Sequence, residues 1–148
     1  MENSKRFKPI VNLAHDSEHQ AARILGVTLK KLNESKAQLE QLTSYLQEYT
    51  QRLQQEGSHG MSGQQLNEYR GFMAKIDAAI ISQKKTVQNL QVILDEKKKI
   101  WFSKRGRSKA LDTILDSYLE KEQVKIDKRD QREQDDRARC DLNNDENE

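Results

Sequence analysis

The sequence predicts an all-α protein, a long two-helix antiparallel coiled-coil hairpin with the second helix longer than the first. Three observations predict it: apolar side chains recur at heptad spacing in two stripes, a glycine-rich break separates those stripes, and proline occurs once, at Pro9.

Composition sets the frame. The chain has 148 residues, one domain by length, of which 34% are hydrophobic, 5% aromatic and 34% charged. Mean hydropathy is −1.03. A thick globular core needs more apolar residues than this, which leaves disorder or a thin helical assembly. Regular spacing of the apolar residues selects the second. The net charge of +2 names no partner, and the lone Cys140 allows no internal disulfide. No apolar run approaches the ~20 residues that span a bilayer. The opening Met1-Glu2-Asn3-Ser4-Lys5-Arg6 leads into no hydrophobic stretch, so no secretory signal is expected and the cytoplasm is the default location.

The first helix is expected over about residues 10–56. With Leu25 at heptad position a, Leu32, Leu39, Leu46 and Leu53 follow at spacing seven, and Ala21, Thr28, Ser35, Leu42 and Tyr49 take position d. The pattern stops at Gln54-Gln55-Glu56-Gly57-Ser58-His59-Gly60-Met61-Ser62-Gly63, whose glycines mark a helix–helix loop, with the turn at 57–62. Gly57 suits the left-handed position that ends a helix. Ser62 with Gln65 fits a capping box, and Met61 with Leu66 fits the hydrophobic staple around it.

The second helix is expected over 63–139. Its seam runs through Leu66, Tyr69, Met73, Ile76, Ile80, Val87, Leu90, Leu94, Trp101, Leu111, Leu115 and Tyr118 in one unbroken register, interrupted by Gln83, Lys97, Lys104 and Ser108. At 1.5 Å per residue the helices would be ~70 Å and ~110 Å long. A short loop makes neighbours antiparallel. Folding about residue 60 sets Leu53 against Leu66, Leu46 against Met73, Leu39 against Ile80, Leu32 against Val87 and Leu25 against Leu94. Apolar meets apolar at every layer. By the same arithmetic the first helix runs out near Lys109–Leu111. Beyond Leu119 charges alternate without a seam, so the helix end should fray, and residues 140–148 read as a disordered acidic tail.

Several residue groups are candidates for function. In an antiparallel pair the g edges of both helices share a side, and here that flank is the more apolar one, with Tyr45, Tyr49, Phe72 and Ile76 clustering near the turn. It is either a widened core or a docking patch. Residues Lys97–Leu111 hold seven basic side chains and no acid, with Trp101 and Phe102 among them, so the rest of the chain is net acidic. That mix suits an acidic protein partner, nucleic acid or an anionic membrane face, or is a solvated face partly countered by Asp16 and Glu18. His15 and His19 share a helix face but have no third ligand at a recognised spacing, so no metal is expected. No phosphate loop, nucleophile elbow or Cys/His cluster is present, and neither catalysis nor a cofactor is expected.

The chain resembles the FliJ family, the small coiled-coil component of the bacterial flagellar protein-export apparatus. The resemblance covers nearly the whole chain. It rests on Ala21-Ala22-Arg23-Ile24-Leu25-Gly26, Gln38-Leu39 with Leu42, Tyr45-Leu46-Gln47-Glu48-Tyr49, Tyr69 with Phe72, and Ala79-Ile80. It continues with Trp101 before a basic stretch and with Gln134-Asp135-Asp136-Arg137-Ala138-Arg139. The resemblance implies a cytoplasmic protein, peripheral to the inner membrane at the flagellar base and like the stalk of a rotary ATPase γ subunit. It implies binding to the hexameric export ATPase, to the cytoplasmic domain of the membrane export gate and to export chaperones. Carried over, the gate-binding patch is Gln38, Leu42, Tyr45, Tyr49, Phe72, Ile76 and Ala79, all d or g positions. The end carrying both termini, with Arg23, Trp101, Lys104, Arg105 and Arg107, would face the ATPase. The equivalent stalk of a virulence type III secretion system would share this fold. A prefoldin-like holdase would need strands for oligomerisation, and none is expected. A basic coiled-coil nucleic-acid binder would show a steep salt dependence.

Overall fold

Glycine decides where the chain turns. In the computed structural model, which describes residues 2–146, α1 runs Glu2–Ser58 and α2 runs Gly63–Asp145, and the two pack as a helical hairpin with the longer helix second. The left-handed residue is Gly60, with φ of 92°, rather than the expected Gly57. The reason lies in the last turn of α1. His59 N–H donates to Glu56 O at 3.2 Å and Gly60 N–H to Gly57 O at 3.4 Å, and these i→i+3 bonds carry the helix past Gly57 before it can stop. On the other side of the turn the capping box forms: Gln65 N–H donates to Ser62 Oγ at 3.2 Å, and Ser62 N–H to Gln65 Oε1 at 3.4 Å. Met61 and Leu66 are both half-buried, as a staple requires.

The heptads set what is buried. Every seam position from Ser4 to Leu53 and from Leu66 to Glu122 is buried or half-buried. Leu32 is 2% exposed and Leu94 3%. Polar seam members are satisfied within a helix or across the pair: Thr28 Oγ1 donates to Ile24 O at 2.9 Å, and Gln83 Nε2 donates across to Ser35 O at 2.9 Å and to Gln38 Oε1 at 3.2 Å. Among the described residues no buried side-chain nitrogen or oxygen lacks a partner.

The chain divides into two compact units, one of residues 21–101 and one of residues 1–20 with 102–148. In a two-helix assembly a side chain reaches only a turn or so along its neighbour, so nothing forces a single cluster.

Within residues 21–101, Tyr49 meets Tyr69 and Gln83 meets Ser35, each within one residue of the register that folding about residue 60 requires. Within the other unit the register differs. The same arithmetic would set Ser4 against Leu115 and Phe7 against Asp112. Instead Ser4 bonds Glu122, through Oγ at 2.7 Å and through its backbone N–H at 3.3 Å, and Phe7 stacks edge-on with Tyr118 at 5.5 Å. His15 lies 2.8 Å from Asp112. The offset is close to one heptad. A shift of seven returns a to a and d to d, so seam matching alone does not forbid it.

Two expected boundaries move. The first helix starts at Glu2 instead of near residue 10: Phe7 packs on Tyr118 of α2, Val11 is buried, and the Glu122 carboxylate accepts one of the orphan N–H groups of the first turn. Pro9 lies inside the helix at the outermost heptad position and is exposed, so water can satisfy the carbonyl its ring leaves unpaired. At the other end α2 continues through residues 140–145, expected to be disordered, while Asn147 and Glu148 lie outside the described residues. Everything from Gln123 to Glu146 is exposed, because the seam positions there, Lys125, Arg129, Arg132, Asp136 and Arg139, are charged. Local pairs support the helix instead: Gln123 Nε2 donates to Asp127 at 3.0 Å, and Arg129 pairs with Glu133 at 3.4 Å.

Candidate docking surface

A hairpin has two helices' worth of apolar surface and only one seam in which to hide it. The g flank near the turn is one of the places where the remainder shows, and an aromatic one. Tyr45 is 54% exposed and Phe72 45%, so neither is core. Tyr49, at a d position, is half-buried and forms the floor: its ring lies 4.6 Å from Phe72 and 6.2 Å from Tyr69, and the Arg52 guanidinium sits 5.5 Å above it. Gln38 and Tyr45 share a shallow groove on α1 with Glu40, Gln41 and Glu48. Leu42 and Ala79 are half-buried behind them, while Ile76 is 7% exposed and belongs to the core beneath the patch.

Two residues hold this surface in place without having been assigned to it from the sequence. The Gln83 amide ties Gln38 to the seam. The Tyr69 hydroxyl donates to Glu56 Oε2 at 2.8 Å, and this bond to a carboxylate pushes the Tyr69 pKa up from its ordinary value of 10.0. Tyr69 is visible in the sequence as a seam position, but its partner Glu56 is not, because the pairing depends on how tightly the turn closes.

The expected ATPase-facing residues divide between the units. Arg23 and Trp101 belong to residues 21–101, and Lys104, Arg105 and Arg107 to the other unit. Arg23 and Arg107 are exposed; Trp101, Lys104 and Arg105 are half-buried. Lys104 and Arg107 line an open groove with Ile10, Leu13, Ala14 and Ser17. His15 sets a ring nitrogen against Asp112, and among the described residues no group of three or more metal-ligating side chains gathers. No helix among the described residues is long and apolar enough to cross a membrane.

The class the fold defines is that of all-α two-helix hairpins, here with aromatic and cationic side chains left on an open flank. The family model described as "Flagellar FliJ protein" matches residues 3–146, and the chain belongs to the FliJ family. It is a component of the flagellar protein-export apparatus. No curated protein matches the chain, and no solved structure does.

Proposed function

We propose that this chain is the coiled-coil stalk that binds the hexameric export ATPase and couples it to the cytoplasmic domain of the membrane export gate, while also interacting with export chaperones. It works in the cytoplasm, peripheral to the inner membrane at the flagellar base, and it is not an enzyme. The observation that carries the reading is the aromatic flank near the turn, where Tyr45 and Phe72 stay about half exposed beside a seam that is otherwise closed. Gln38, Leu42, Tyr49, Ile76 and Ala79 frame or support that flank for the gate. Arg23, Trp101, Lys104, Arg105 and Arg107 face the ATPase.

The double substitution Tyr45→Ala with Phe72→Ala tests the patch. Both rings are about half exposed, so the loss of stability should be about 1–2 kcal/mol, including the Tyr49–Phe72 contact. Helicity by circular dichroism should be kept while binding to the isolated gate domain falls by about tenfold or more. An unfolded double variant, or a folded one that still binds, would contradict the assignment. Pull-down of the ATPase with truncated chains tests the other end, where trimming the termini should abolish capture and trimming the turn should not.

A further inference from the structure

The groove of the unit that holds both termini carries a second, chemically different surface. On α1, Leu13 is 70% exposed and Ile10 45%, and Ala14 and Ser17 form the floor between them. On α2, Lys104 and Arg107 make the opposite wall. Ile114 shares heptad position g with Ile10 and Arg107 and is 42% exposed. Two large aliphatic side chains, Ile10 and Leu13, thus lie bare beside two cations in a furrow between two antiparallel helices, and Ile114 is exposed on the same flank of α2.

We propose that this groove is a docking site for an amphipathic helix whose apolar stripe is flanked by carboxylates. A furrow between packed helices is the shape into which the ridge of a third helix fits. The exposed aliphatics supply the contact that an i, i+3, i+4, i+7 stripe buries, and the Lys104 and Arg107 wall selects acidic flanks. A second copy of this chain is a poor occupant, because a two-fold pairing on this face brings the two Lys104 and Arg107 walls into one interface with no carboxylate among the described residues lining the groove to offset them. The proposal deepens the reading of Lys104 and Arg107 as a protein-facing surface and rests on that reading only for their accessibility.

The test is a fluorescence-anisotropy titration of the full chain with two labelled synthetic helices of the same leucine stripe, one flanked by glutamates and one by lysines. The glutamate peptide should bind and the lysine peptide should not. Leu13→Ser should weaken binding about tenfold. Arg107→Glu should weaken the glutamate peptide and admit the lysine one. Both side chains are exposed, so unchanged circular dichroism is expected for both variants. Equal binding of the two peptides, or binding that Leu13→Ser leaves intact, would overturn the proposal. So would a dimer in sedimentation velocity that Leu13→Ser dissolves, which assigns the face to a second copy. Flotation with phosphatidylglycerol vesicles that Leu13→Ser abolishes would overturn it in favour of a membrane. No ATPase enters the titration, so its failure and a failed ATPase pull-down are separate results.

Discussion

Tyr69 shows how much one hydroxyl can report. Its bond to Glu56 spans the turn, joining the last turns of α1 to the first turns of α2, and favours the neutral phenol. A raised pKa for an acid means the folded state holds its proton more tightly than the unfolded state. The contribution to stability is therefore fully present below the ordinary Tyr value of 10.0 and is lost as pH rises through the raised value. Titrating phenolate absorbance should show one tyrosine ionising late, and Tyr69→Phe should remove that step. A titration in which all tyrosines ionise together would contradict the contact. Gln83 carries a different lesson. The sequence marks it as a polar interruption of the seam, which is correct, yet the same amide holds Gln38 at the edge of the patch. That role was hidden because it depends on which residue of α1 stands opposite. Ile76 was visible as a seam residue and also fell within the expected patch; burial places it in the core.

Elements were legible where the pattern is local. The two stripes, the glycine break and the capping box all lie within a few residues of chain, and each is present where spacing puts it. Gly57 and Gly60 could not be told apart, since both are glycines in a polar turn. Their geometry separates them by experiment. A Cβ on Gly57 meets nothing within 4 Å in a helical backbone, so Gly57→Ala should stabilise the chain by up to about 1 kcal/mol. Gly60→Ala should destabilise it, because an L side chain rarely adopts φ of 92°. Thermal melts that rank the two the other way would contradict this turn. Register within the unit holding both termini was the least legible feature. A heptad slip leaves a/d matching intact, so apolar periodicity alone does not choose between registers, whereas Phe7 with Tyr118 and Ser4 with Glu122 do. In a Cys140→Ser background, Phe7→Cys with Tyr118→Cys should form a disulfide on mild oxidation, and Phe7→Cys with Asp112→Cys should not. The reverse result would restore the register of folding about residue 60.

For the whole molecule, the composite patch depends on the chain folding back on itself. The aromatic patch takes Tyr45 and Tyr49 from α1 and Phe72 from α2, so neither helix alone presents it. A two-helix assembly is what leaves that patch bare: the two helices close one seam against each other, and no third element among the described residues covers its flank. Membership of the flagellar export family rests on a match over residues 3–146, nearly the full length, and the resemblance was legible in the order and spacing of short segments along the two stripes. The partners themselves were not legible in the same sense, since an exposed ring carries no chemistry that names one. The most direct test of the central claim is the intrachain distance between spin labels at Lys36→Cys and Lys84→Cys, in the Cys140→Ser background diluted with unlabelled chain. Both positions are exposed and lie within residues 21–101. Packed helices with axes about 8–10 Å apart predict a short separation, about 20–30 Å once the label linkers are included. A separation near ~70 Å, the rise of the intervening residues as one continuous helix, would contradict the hairpin and with it the composite patch.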